Sequence, residues 1–299
     1  MSAPSSEYAK GLALTAFGGL VLTVDIPLIR LAEGSPWSVL MLRTGTTFLA
    51  ALVIWAVWRL ITPKAPRLVP GRIGVIVSIL YGLTSVVFIT AVYNTSTANV
   101  AFILAFNPMF SAVLAWIFLK ERPKPATLVA MAVMIVGVLI IVYDSIGHGT
   151  LFGDFMALLT AFFVASAITV SRSTREDLGF TSLVGVIFPF FVAVAMVGQT
   201  GYRVDAPWWI IFNGAVVMPL SFFLLASGPR YISGGEVAMF YLLETVLAPV
   251  WVWAIFSEAP SRNALIGGVI LIAALLAHSI WQLLEVRRRP AAEPVHYPA

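Results

Sequence analysis

The chain has 299 residues, 60% of them hydrophobic and 11% charged, with a mean hydropathy of +0.96, far from the soluble balance of about 45–50% apolar and about 25% charged residues. Apolar runs fill nearly the whole length, which excludes a separate soluble catalytic domain, and the net charge of +4 sits in short loops between those runs rather than on a nucleic-acid-binding face. The absence of cysteine excludes disulfides, thiolate metal sites and cysteine nucleophiles.

A helix needs about 20 apolar residues to cross a hydrocarbon core of about 30 Å. Breaks at Pro, Gly and charge clusters predict an all-α membrane protein of ten spans, at 10–31, 37–60, 72–93, 98–119, 126–144, 151–173, 182–202, 208–228, 234–256 and 263–284. The leading "MSAPSSEYAK" has no basic leader region and the first run is a full span long, so the first helix is expected to be retained. The spans divide into a tail (1–9), a five-helix unit (10–145), a second five-helix unit (146–286) and a tail (287–299).

Span one carries Asp25 two residues before Pro27, as a gating group or as a carboxylate that satisfies a kinked helix end. Arg43 in span two can snorkel, pair with Asp25 or meet a substrate carboxylate. Span three places Tyr81, Thr84, Ser85 and Phe88 on one helix face by their spacing, to line a wet cavity or to pack against a neighbouring helix. Span four holds Asn99 near one face of the membrane and Phe102, Phe106, Asn107 and Pro108 deeper in. Span five has no polar side chain after Thr127 and can face lipid.

Span six contributes Phe163, span seven Pro189, and span eight Pro219 and Phe222. Span nine brings Glu236, Tyr241, Glu244 and Pro249. A carboxyl near the centre of a span costs about 2.5–3.5 kcal/mol on insertion scales, so Glu244 is a functional candidate by default, for a substrate ammonium or for proton coupling; its structural alternative is a hydrogen bond to Asn107. Asn99 and Glu236 fit capping or gating. His278 in span ten has no acidic partner in its own span and fits packing or a proton relay. Prolines 27, 108, 189, 219 and 249 each favour a kink, as hinges or as static bends.

Of the 18 Lys and Arg, fourteen fall on the N-terminal side of these spans, three (Arg30, Arg203 and Arg262) on the other, and Arg43 lies inside a span. By the positive-inside rule both termini are expected in the cytoplasm, in a bacterial cytoplasmic membrane, and the nine Trp lie towards span ends as aromatic belts do.

The segment 96–123, "STANVAFILAFNPMFSAVLAWIFLKERP", returns at 233–260 as "SGGEVAMFYLLETVLAPVWVWAIFSEAP", with seven identities in 28 ungapped positions and Asn107 opposite Glu244. The copies open span four and span nine. An offset of five spans, an odd number, inverts one half relative to the other, a plan of secondary transporters that bind substrate where the repeats meet.

The two stretches 91–123 and 228–260 resemble the EamA pattern of the drug/metabolite transporter superfamily, and the chain is similar in detail to YddG-type exporters of aromatic amino acids. Lys120 and Ser257 stand where that pattern usually has Gly before the Glu, and Thr245 stands where its second copy often has Pro. The resemblance implies a basket in which spans one, three, four, six, eight and nine surround a central cavity and five and ten are peripheral. On that plan Tyr81, Thr84, Ser85, Phe88, Phe102, Phe106, Asn107, Phe163, Phe222, Tyr241 and Glu244 are expected to line the cavity, with Pro27, Pro108, Pro219 and Pro249 as hinge candidates. The expected partners are the lipid bilayer and a small-molecule substrate, with no nucleic acid, no cofactor, no metal and no catalytic residue; the sequence does not set the oligomeric state, and a monomer is compatible with it. There is no HExxH, GxSxG or P-loop signature, and the three His are scattered, which speaks against a membrane enzyme; nothing resembles a multi-site channel filter.

Overall fold

Fourteen α-helices and one π-helical turn account for most of the computed structural model, which describes residues 5–62, 67–148, 150–172, 174, 178, 180–227, 231 and 234–288; inside the helices, the side chains of 5–7, 144, 147–148, 226–227, 234–239, 241–242, 282–283 and 285–288 are outside the description. In chain order the elements are α1 (Ser5–Leu22), α2 (Asp25–Leu31), α3 (Pro36–Ile61), α4 (Gly71–Asn94), α5 (Thr97–Leu104), α6 (Asn107–Leu119), α7 (Pro125–His148) and α8 (Leu151–Ser171). They continue with α9 (Thr181–Val184), α10 (Ile187–Thr200), α11 (Pro207–Phe212), the π-turn (Asn213–Val217), α12 (Met218–Ser227), α13 (Gly234–Phe256) and α14 (Arg262–Arg288). Nine stretches among the described residues are long and apolar enough to cross a membrane, and α13, apolar over Leu243–Phe256, supplies the tenth crossing. We call the end of the bundle where α1 begins the near end and the opposite one the far end.

Four crossings are made of more than one piece, and proline stands at each join. Pro27, Pro108 and Pro189 occupy the first turns of α2, α6 and α10, and Pro219 follows the π-turn into α12. In a first turn the missing N–H costs no intrahelical bond, and the fixed φ suits a restart. Pro249 differs, for α13 runs straight through it. The helix α13 is also unbroken at Thr245, the position equivalent to Pro108, which begins a new helix in the other copy.

Most buried hydroxyls are satisfied inside their own helices. Thr44, Thr84, Thr160 and Thr169 each donate to the carbonyl four residues back, at 2.6–2.9 Å, which is how a polar group is tolerated where no water reaches. The helix α7 packs on α14, and a Cβ added to Gly137 or to Gly267 would meet the other's carbonyl oxygen at 2.9 or 2.6 Å. Only glycine permits that backbone contact. The outer face of α7, including Val129, Val136 and Leu139, is exposed apolar surface, in keeping with a peripheral helix against lipid.

Candidate functional site

A buried ionic cluster forms where two interrupted crossings meet α3. The first crossing stops at Leu22 and restarts at Asp25, whose carboxylate is 3% exposed. Arg43 of α3, 5% exposed, donates from Nη2 to both Asp25 oxygens, at 3.1 and 2.9 Å, and from Nε to Asn213 Oδ1 at 3.1 Å. Asn213, fully buried, donates from Nδ2 to Asp25 Oδ1 at 2.7 Å and to the Asp25 carbonyl at 3.2 Å. The three side chains close a ring in which each touches the other two. Met218 Sδ accepts a further bond from Arg43 Nη2 at 3.2 Å, and the guanidinium lies 5.4 Å from the Phe88 ring centroid, within cation–π range. Arg43 Nη1 makes no hydrogen bond among the described residues.

The π-turn brings Asn213 to this ring. Its next residue, Gly214, lies so close to α3 that a Cβ would meet Thr46 Oγ1 at 2.1 Å and the Arg43 carbonyl at 2.5 Å. Arg43 is the eighth residue of α3 and Asn213 the seventh of its crossing, counted from the far end. At about 1.5 Å of rise per residue the ring lies about 10 Å below that end.

Glu244 is the eleventh of the 23 residues of α13. It lies within electrostatic reach of both Asp25 and Arg43, yet no hydrogen bond or ion pair holds it among the described residues. The centre therefore has two carboxyls for one guanidinium. The helix α13 is fixed there by Trp251, whose Nε1 donates to Thr23 Oγ1 at 3.0 Å at the break between α1 and α2, and by close passage over Gly19. Trp251, expected from the sequence in an aromatic belt, serves this junction.

The other expected site residues divide. Phe88 belongs to the centre. Thr84 and Ser85 donate to the Leu80 and Tyr81 carbonyls of their own helix, and Tyr81, Phe163 and Phe222 are half-buried. Phe106 opens a series of rings through Phe110 and Phe162 to Phe163, with centroids 5.1–5.9 Å apart, edge-to-face as far as Phe162 and tilted at the last pair. Phe102 was expected at the cavity, but its ring packs on Gly268 of peripheral α14, 2.5 Å from where a Cβ would stand, so it fills a helix interface. Asn107 takes a 3.4 Å hydrogen bond from Ser111 one turn along its own helix, and no hydrogen bond joins it to Glu244. The helix break before Pro108 separates the two copies at this point. The side chains of Glu236 and Tyr241 lie outside the described residues. His278 stacks on Trp281, 5.8 Å between centroids, in keeping with packing.

Asn99 joins a second buried network with Asp154 of α8, which sequence reasoning missed. Asp154 Oδ1 accepts from Thr95 Oγ1 at 2.6 Å and from Asn99 Nδ2 at 3.2 Å, and Asn99 also reaches Ser145 Oγ at 3.0 Å. Asp154 is 1% exposed and its Oδ2 has no hydrogen-bond partner among the described residues. Asn213 was missed as well; the only signal was an Asn-Gly pair, a turn former, inside the apolar run "WWIIFNGAVV".

Ten apolar crossings around a buried, charge-bearing centre define a polytopic membrane protein. The chain belongs to the EamA-like transporter family, whose model matches it twice, over residues 9–143 and 151–280. Two matched units of five crossings each must be inverted relative to one another. An uncharacterized transporter of Archaeoglobus fulgidus is 26% identical over 272 residues, covering 86% of this chain and 91% of that protein. An uncharacterized transporter of Synechocystis sp. is 23% identical over 225 residues, covering 69% of this chain and 64% of its own length. A solved crystal structure superposes with a TM-score of 0.62 over 94% of this chain and 99% of that one; at 14% identity the likeness is one of fold.

Proposed function

We propose that this transporter exports neutral amino acids, aromatic ones foremost, from the cytoplasm across the bacterial cytoplasmic membrane by alternating access. The observation that carries this reading is the imbalance at the buried centre: Glu244 has no ion-pair partner among the described residues, while Arg43, held by Asp25 and Asn213, keeps Nη1 unbonded. A bound α-amino acid supplies the ammonium that Glu244 lacks and a carboxylate for Nη1. In a low-dielectric interior, a carboxyl and a guanidinium are each stabilised by a partner of opposite charge. Apolar and aromatic side chains around a few orienting polar groups then suit a flat side chain. In this reading both termini and the near end face the cytoplasm, and the proline joins at 27, 108 and 219, with Pro249, absorb the rocking of the halves.

The test is counterflow in liposomes containing the purified protein. Labelled Trp, Phe or Tyr is expected to accumulate against an internal pool, with Met or Leu competing better than Asp or Lys. Equal transport of charged amino acids, or transport of hydrophobic cations only, overturns the amino-acid reading and favours drug efflux by the same carrier.

A further inference from the structure

The far end carries a built pocket that the buried centre does not use. The loop between α2 and α3 pairs with the loop between α10 and α11, so that the two halves of the chain are clasped there. Ser35 N donates to the Arg203 carbonyl at 2.9 Å, Ala206 N to the Ala32 carbonyl at 3.1 Å and Asp205 N to the Glu33 carbonyl at 3.3 Å, with Gly34 bridged to Val204 as in an antiparallel pair. Ser38 Oγ accepts from Arg203 N at 3.1 Å and pins the clasp to α3. Glu33 sits in the clasp with φ of 47°, a left-handed backbone that non-glycine residues seldom adopt.

The clasp borders a cavity of about 450 Å³, within the usual range for small-ligand sites. Its lining is amphoteric: Arg203, Glu33 and Asp205 bring charges of both signs, and Tyr93 and Val92 add apolar surface. Arg30, also in the lining, is already taken by an ion pair to Glu258. The other three charges form no side-chain hydrogen bond or ion pair among the described residues. A purely cationic or purely anionic solute would use half of this lining and be repelled by the rest; a solute with a carboxylate at one end and an ammonium at the other uses all of it.

We propose that this pocket is a second binding site for a free α-amino acid, with the carboxylate on Arg203, the ammonium between Glu33 and Asp205, and the side chain against Tyr93. This rests on the amino-acid reading of the buried centre. It places a holding site about a helix turn or two above the Asp25–Arg43 ring, where substrate arrives from or leaves to the far side. Its charges are solvent-facing, so the site is expected to be weaker than the buried one and to lose affinity as salt rises.

The experiment is two-sided transport kinetics in liposomes of defined orientation, using phenylalanine, with Arg203→Gln, Glu33→Gln and the wild type compared. Either substitution is expected to raise the half-saturating phenylalanine concentration about five- to tenfold when substrate is offered at the far end, and to leave it unchanged at the near end. Phenylethylamine and phenylpropionate, each keeping one charge, are expected to compete poorly at the far end. Unchanged far-end half-saturation in both variants, or equal changes at both ends, overturns the second site while wild-type transport keeps the amino-acid reading standing. A wild-type protein that neither binds nor transports any amino acid overturns both. Normal elution of each variant as a folded, monodisperse species separates these results from misfolding.

Discussion

Lys120 and Ser257 hold the same strained backbone at equivalent ends of α6 and α13, with φ of 58° and 56°. The two positions are related by the sequence repeat, and they are where the family pattern usually has glycine. The left-handed region costs an L-residue about 1–2 kcal/mol, which glycine does not incur. Part of that gain is offset by the greater freedom of glycine in the unfolded chain. Lys120→Gly and Ser257→Gly are each expected to stabilise by about 0.5–1 kcal/mol, read as a higher thermal midpoint in detergent, and the effects should add because the sites lie at opposite ends of the bundle.

The same repeat relates two ion pairs. Arg30, near the end of α2, meets Glu258 beyond α13 at the far end; Arg172, capping α8, meets Glu121 beyond α6 at the near end, at 3.0 and 2.8 Å. Each ties one half of the chain to the other. Exposed pairs of this kind contribute about 1 kcal/mol or less, little for folding but enough to move a two-state equilibrium up to about fivefold. In the cysteine-free chain, a single cysteine at Ser85 reports access. Glu258→Gln is expected to speed its labelling from the far side and Glu121→Gln from the near side; equal rates in all three proteins would remove the pairs from the transport cycle.

The Asp25–Arg43 pair has a different energy scale. Taking one partner from a buried pair strands the other charge, at a cost of about 3–5 kcal/mol. Arg43→Met is expected to abolish a monodisperse folded protein, whereas Asp25→Leu with Arg43→Met recovers much of the thermal stability without transport. Asn213→Ala should fall between, since it leaves the ion pair but removes the three hydrogen bonds of the Asn213 amide.

Glu244→Gln keeps volume and removes the ionisable carboxyl. With no hydrogen bond or ion pair to lose among the described residues, the thermal midpoint is expected to stay at the wild-type value while amino-acid counterflow falls about tenfold, equivalent to about 1.4 kcal/mol of lost substrate interaction. Wild-type counterflow in this variant would return Glu244 to a packing role.

In the second network Asn99 donates to Ser145, Thr95 and Asp154. Asn99→Ala removes three buried hydrogen bonds, leaves Thr95 as the remaining donor to Asp154 among the described residues, and is expected to destabilise by about 1–3 kcal/mol, with substrate half-saturation unchanged.

The crossings and their repeat are legible in the chain because both are one-dimensional: apolar length, basic residues at loops and a segment that recurs at a fixed offset. Proline foretold the bends but not their form, since the chain stops being helical before Pro27 and Pro108 rather than bending through them. The centre was legible only as separate residues. Asp25 and Arg43 stand out as charges in apolar runs, but their bond spans two helices, and Asn213 carries no charge to draw notice. Phe102 and Phe88 look alike in sequence, yet one packs on Gly268 of α14 and the other lies under the Arg43 guanidinium. Which neighbour a buried ring meets depends on helix rotation, which composition does not encode.

The π-turn at Asn213–Val217 has an energetic meaning for a two-fold carrier. Its counterpart in the first half is α4, which runs from Gly71 to Asn94 without interruption. Two perfectly matched halves would exchange roles at no net cost, and the chain would rest equally in either orientation. A turn wound with one residue too many in one half alone removes that degeneracy. Under the alternating-access reading, this backbone difference between the halves is expected to bias the resting orientation even without substrate.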